Sequence, residues 1–233
     1  MRDRAPVAVC VHGAGGGGWE WAIWARVLSA RGWRVVAPDL LPAADGLAAT
    51  TFDDYRAQVL ARCAQAAPLP VLVGASLGGL LALSIATAVD ARALVLVNPL
   101  PPWGLPADVP TPDVVRWGSA RCFAGTRRAM PDADDAARLY AFRGWRDESG
   151  SVLDEARRGF AVEAPICPIL VIASDLDGDV PPAQSRRLAR EFGADFDLVA
   201  GASHLGPLLG RSAADVAGNA ADWLRLRLRE TEV

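Results

Sequence analysis

The chain contains no lysine. All 24 of its basic residues are arginine, which excludes a Schiff-base lysine and the lysine of a phosphate-binding loop together. Histidine is almost as scarce, with only His12 and His204. The four cysteines, Cys10, Cys63, Cys122 and Cys167, are far apart and include no Cys-x-x-Cys pair. They lie in or beside apolar runs and read as free core thiols, not as a disulfide framework. No signal-peptide apolar region opens the chain, and no apolar run is long enough to span a bilayer. The expected location is therefore cytoplasmic. Formal net charge is only −3, so there is no basic field for nucleic acid or an anionic membrane. The arginines from Arg225 to Arg229 read as a helix end whose cations suit the dipole. There are no internal repeats.

What is present suits one α/β domain. The 233 residues are 52% hydrophobic, enough for a sizeable core. Short continuous apolar runs at Val7–Val11, Trp33–Ala37, Leu69–Val73, Ala93–Val97 and Ile169–Ala173, with a last strand at Asp195–Val199, alternate with helical stretches. Helices are expected over Glu20–Ala30, Phe52–Ala67, Leu77–Val89, Ala183–Phe192 and Ser212–Arg229. Alternation of this kind predicts about six strands in a mostly parallel sheet, helices on both faces, and reactive groups at the carboxyl ends of the strands. From Pro99 prolines interrupt regular structure, and short helical pieces are expected at Asp113–Phe123, Ala133–Phe142 and Leu153–Phe160. Residues 99–167 therefore read as a small helical cap over the strand ends, with residues 1–98 and 168–233 forming the core.

One stretch carries the chemistry. Val71 to Leu83 reads strand, Gly74-Ala75-Ser76-Leu77-Gly78 turn, then helix, the setting in which Gly-x-Ser-x-Gly becomes a nucleophile elbow. A serine hydroxyl needs a base within reach, and the base needs an orienting acid. His204, after the last strand, gives the chain order Ser, Asp, His. Asp175, Asp177 and Asp179 crowd the preceding strand end; position in the turn favours Asp177, with Asp179 second. Asp39 reads as a turn or capping residue. The glycine run Gly13–Gly18 lacks the spacing of a dinucleotide fingerprint. It suits an oxyanion hole, with the backbone N–H groups of Ala14 and Leu77 as donors and His12 as a buttress. Trp19, Trp103, Trp117, Trp145 and Leu205 are the candidate pocket residues. Arg143, Arg146 and Glu148 read as solvated positions of the cap that stay available to a polar substrate end.

Together these residues resemble the α/β-hydrolase superfamily from Val7 to Pro99 and from Pro168 to Leu224. His12-Gly13-Ala14 with the Gly-x-Trp-x-Trp continuation at Gly17–Trp21 is similar to its small esterase and hydroxynitrile lyase-like branch. Val180-Pro181-Pro182 and Gly201-Ala202-Ser203-His204 also fit the pattern. Two positions depart from it, Ala75 before the nucleophile and Ser174 in the acid turn. The lyase branch adds a lysine near the acid, which this chain lacks. The resemblance implies a serine hydrolase of the esterase type, acting on a small, largely apolar carboxylic ester, lactone or thioester through an acyl-enzyme. It implies no metal and no organic cofactor. The expected partner is a small-molecule substrate, and a homodimer stays open. Two other classes also stay open: a biosynthetic enzyme that uses the triad for cyclisation or carbon–carbon cleavage, and a small-molecule binding module with a silent triad.

Overall fold

Strands that are apolar on both faces need cover on both faces, and the computed structural model provides it. Residues 5–66, 69–106 and 111–230 are described. β1 (Val7–Val11) leads through a 3₁₀ turn, Gly18–Trp21, into α1 (Ala22–Ala30) and β2 (Arg34–Val36). Then come α2 (Phe52–Ala66), β3 (Val71–Ala75), α3 (Leu77–Ile85) and β4 (Ala93–Val97). An inserted segment carries β5 (Val114–Val115), α4 (Phe123–Ala129), α5 (Asp135–Gly144), β6 (Glu148–Ser149) and α6 (Gly150–Arg158). The chain ends with β7 (Ile169–Ser174), α7 (Pro182–Glu191), β8 (Asp195–Val199), α8 (Gly206–Leu209) and α9 (Ala213–Glu230). Ala67, expected to close α2, and the ends of the expected core, 1–4 and 231–233, lie outside the described residues.

Six strands form one parallel sheet in the order β2-β1-β3-β4-β7-β8. The period of two sorts their side chains into two layers. Val7, Val9, Val11, Leu72, Leu94, Leu96, Ile169 and Val171 pack with α2, α3 and α7. Ala8, Cys10, Val71, Val73, Val95, Leu170 and Ile172 pack with Trp24 and Leu28 of α1 and with Val216, Ala220 and Leu224 of α9. The chain runs outward from β1 to β2, then returns to β3 on the other side. The order therefore reverses between β1 and β3, and crevices form at such points, beyond the carboxyl ends of the strands.

Two expectations fail. Asp113–Phe123 is not helical: Val114–Val115 pairs antiparallel with Glu148–Ser149, where two β-branched residues suit a strand. Nor is every cysteine in the core. Cys10 and Cys63 are buried, but Cys122 is exposed and its Sγ caps α4 by accepting the Gly125 N–H at 3.3 Å.

The elbow fits against β1 with no room to spare. A Cβ at Gly78 would lie 2.1 Å from the Val11 carbonyl oxygen and 2.4 Å from that of His12, both backbone atoms of a central strand and its exit. Gly178 has nothing within 4 Å of the same position. Gly78→Ala should cost about 3 kcal/mol or more of unfolding free energy, whereas Gly178→Ala should stay within about 0.5 kcal/mol of wild type. Urea denaturation with a common slope measures both.

Candidate active site

Register assembles the site before any side chain is considered. Val11 pairs with Gly74 across β1 and β3, so two residues further on Gly13 faces Ser76. A Cβ at Gly13 would lie 3.3 Å from the Ser76 Cβ and 3.9 Å from its Oγ. Ser76 has φ 53° and ψ −118°, in the left-handed half of backbone space that a residue with a Cβ rarely adopts. Its N–H donates to the Val97 carbonyl at 3.0 Å, and its carbonyl accepts from Gly79 at 3.0 Å and Leu100 at 3.1 Å. Gly74 must be glycine because a Cβ there would meet the Gly78 carbonyl oxygen at 2.3 Å.

The glycine-rich loop after β1 is held almost donor by donor. The Gly13 N–H donates to Glu20 Oε2 at 3.3 Å, the Gly15 N–H to Glu148 Oε2 at 2.9 Å, and the Gly18 N–H to Asp39 Oδ1 at 2.8 Å. The Gly16 N–H donates to the Gly13 carbonyl at 3.3 Å. Among the described residues, the N–H groups of Ala14 and Leu77 have no partner. These are the two donors expected from the sequence, and Leu77 opens α3, where the first amides have no intrahelical acceptor.

The two histidines have opposite roles. His12 accepts the Leu40 N–H on Nε2 at 2.9 Å, so its proton sits on Nδ1, 2.8 Å from the Gly13 carbonyl. Both ring nitrogens are thereby committed, and burial pushes its pKa down to about 4. His204, by contrast, has Nδ1 2.7 Å from Asp177 Oδ2. The second Asp177 oxygen accepts the Asp179 N–H at 2.9 Å and the Val180 N–H at 2.8 Å. Asp175 turns away to the Ala202 N–H, and Asp179 is exposed. Burial alone would lower the His204 pKa. The Asp177 hydrogen bond and the charges of Asp177, Asp179 and Glu20 outweigh it and raise the value above that of an ordinary histidine. Asp177, Asp179 and His204 bring possible ligand atoms within 4.8 Å of one another, but the Asp177 oxygens and the His204 Nδ1 already satisfy each other and the backbone.

Several residues that sequence reasoning missed tie these parts together. Asn98, at φ 44°, donates from Nδ2 to the His204 carbonyl at 2.7 Å and to Ser174 Oγ at 2.9 Å, while its Oδ1 accepts the Ser174 N–H at 2.7 Å. It directly follows Val97, which holds the Ser76 N–H, so one residue step links the elbow to the His204 turn. Asp132 of the inserted segment accepts both the Ser203 N–H and its hydroxyl. Glu20 and Glu148 are only 1% and 2% exposed, so Glu148 is not the solvated residue expected. Glu20 carried a faint signal, a lone acid inside the aromatic run Trp19–Trp21. Asn98, Asp132 and Glu148 carried none. Among the described residues the Ser76 hydroxyl makes no hydrogen bond, a looseness common in unliganded sites.

The expected pocket residues divide. Trp19 packs edge-on against Trp145 at 5.4 Å and Tyr140 at 5.6 Å between ring centroids. Trp145 lines a cavity of about 350 Å³ with Pro42, Tyr55 and Arg146. Trp117, 44% exposed, lies over Gly15, where a Cβ would meet its ring at 2.5 Å. Leu205 leads into α8 and packs on the α1–α9 side of the sheet. Trp103 is engaged with α7: its indole N–H donates to Gln184, and the Arg187 guanidinium stacks over its ring at 3.9 Å. A larger cavity of about 610 Å³, lined by Pro6, Trp33 and Arg92, lies at the opposite end of the strands, away from Ser76. No helix among the described residues is long and apolar enough to cross a membrane.

No curated protein matches the sequence significantly. Solved structures match its fold. A variant of PytH superposes with a TM-score of 0.75 at 22% identity, covering 95% of this chain and 98% of that one. The monoacylglycerol lipase of Paleococcus ferrophilus gives 0.74 at 19% identity, over 95% and 94%. A methylesterase from Arabidopsis gives 0.73 at 14% identity, over 94% and 100%. At such identities the likeness is one of fold. The model of the alpha/beta hydrolase family matches residues 8–219, from the first strand through the inserted segment and into the last helix. With its six-stranded order and its serine turn at the sheet's reversal point, this chain belongs to the alpha/beta hydrolase family.

Proposed function

We propose that the protein is a serine hydrolase in which Ser76, Asp177 and His204 act as the triad and the Ala14 and Leu77 N–H groups as the oxyanion hole. The observation that carries this reading is the His204–Asp177 bond of 2.7 Å, delivered to the same sheet edge as a serine held at φ 53°. His204 Nε2 takes the Ser76 proton as Oγ attacks a carbonyl carbon. The oxyanion forms toward the Ala14 and Leu77 N–H groups. His204 then protonates the leaving group, and the acyl-enzyme is opened by water that His204 activates in turn. Asp177 keeps the Nδ1–H tautomer and stabilises the imidazolium. The aromatic residues Trp19, Trp117 and Trp145 near the loop favour a small, largely apolar carboxylic ester, lactone or thioester. Structural neighbours described as a monoacylglycerol lipase, a methylesterase and a thioesterase domain support ester-type substrates.

A fluorophosphonate probe, read by intact mass, should add once to wild type and not at all to Ser76→Ala or His204→Ala. Lack of any adduct on folded wild type would remove the reading. On a p-nitrophenyl ester, Asp177→Asn should lower kcat about 10⁴-fold by leaving the imidazole in the wrong tautomer.

The base must be neutral to act, so activity is lost as pH falls through the pKa of His204. Because that pKa is raised, the acid limb of kcat/KM should lie above the ordinary histidine value. Asp179→Asn removes one of the charges that raise it and should move the limb to lower pH. An unmoved limb would show that another group titrates.

A further inference from the structure

We infer that Glu20 and Glu148 are positioning residues of the oxyanion hole: they hold the two residues flanking Ala14, and this leaves the Ala14 N–H as the aimed donor. The inference rests on the serine-hydrolase reading above. Five of the six residues from Gly13 to Gly18 are glycine, so the loop's own backbone preferences fix little. An oxyanion donor contributes most when it is already in place before the charge develops. Something outside the loop must therefore set its shape.

Two buried acids do so. Glu20 Oε2 accepts the Gly13 N–H at 3.3 Å, and its carboxyl fills the space where a Gly16 Cβ would stand, 2.1 Å from Oε1. Glu148 Oε2 accepts the Gly15 N–H. Its Oε1 accepts the Tyr55 hydroxyl at 2.8 Å and the Ser149 N–H at 2.8 Å, so α2 orients the acid that orients the loop. The same strip of the inserted segment closes the pair from the other direction, since the Arg146 N–H donates to the Gly15 carbonyl at 2.8 Å. Gly15 is thus bonded through both its N–H and its C=O to the segment between β4 and β7. A buried carboxyl without donors is costly, and these two find donors on the residues either side of Ala14. Burial pushes the Glu20 carboxyl up to about 8, against the lowering effect of the Gly13 hydrogen bond and of the His204 and Arg146 charges.

The geometry sets a distinct pattern of rescue. A glutamine at position 20 keeps an oxygen for Gly13. A glutamine at position 148 has one oxygen where two are in use, and its NH₂ must face either Gly15 or the Tyr55–Ser149 pair. Wild type, Glu20→Ala, Glu20→Gln, Glu148→Ala, Glu148→Gln and Tyr55→Phe are compared on a p-nitrophenyl ester, with thermal melting as a check of folding and Ser76→Ala as the blank. Both alanine variants should lose about 10²-fold in kcat with KM nearly unchanged. Glu20→Gln should recover most of that loss, Glu148→Gln only part, and Tyr55→Phe should show a smaller kcat defect of the same kind. Should an alanine variant fail to fold, the glutamine and phenylalanine variants still give the ordering. Wild-type kcat in folded Glu148→Gln and Tyr55→Phe, or loss in KM alone, overturns the inference while leaving the triad standing. Wild-type turnover no greater than the Ser76→Ala blank takes down both.

Discussion

A residue with a Cβ held at φ 53° costs on the order of 1–3 kcal/mol, and the arrangement around Ser76 depends on that cost being met elsewhere. The surrounding structure over-determines it. Its N–H is fixed by β4 and its carbonyl by α3 and Leu100, while Gly74 and Gly78 let the turn press against β1 at distances no side chain would allow. The benefit is directional. A relaxed turn would lay the serine back toward the strand; the strained one faces it toward Gly13 and the neighbouring amides. The parallel register then does the rest, since Val11 opposite Gly74 and Ala75 opposite Val97 bring the exits of β1, β3 and β4 side by side.

Around that point the protein buries groups that water would otherwise hold. His12 and His204 show how environment separates two identical side chains. His12 has no anion in hydrogen-bond contact, and burial keeps it neutral as a brace between Gly13 and Leu40. His204 sits against Asp177 with Asp179 and Glu20 nearby, and their combined effect reverses the sign of the shift. The difference in role follows from the neighbouring strand ends: His204 leaves β8 beside the three acids that follow β7, whereas His12 leaves β1 beside the exit of β2, which carries Asp39 alone.

The sequence made the core legible because its signals are local. Gly-x-Ser-x-Gly between an apolar strand and an apolar helix, or a histidine after the last strand, can be read within a dozen residues. The free N–H groups of Ala14 and Leu77 followed from the same local logic. The choice of Asp177 among three acids rests on its position in the turn. What escaped is non-local. Glu148 sits 133 residues from the Gly15 amide it binds, and Asn98 is 106 residues from His204. Ordinary pattern would leave both as surface polar residues. Val114 and Val115 fall within an expected helix because nothing local marks their strand partner, Glu148–Ser149, which lies beyond two intervening helices. The pocket tryptophans rest on composition, and composition does not say which face a ring will meet; Trp103 shows this, lying on α7 beneath Arg187.

The inserted segment reaches both the glycine-rich loop after β1 and the turn before His204. Glu148 and Arg146 hold the first at Gly15, and Asp132 holds the second through Ser203. A segment that only covered a pocket would need apolar contacts and no such bonds to backbone amides. Its acids instead complete hydrogen bonding that the core leaves open.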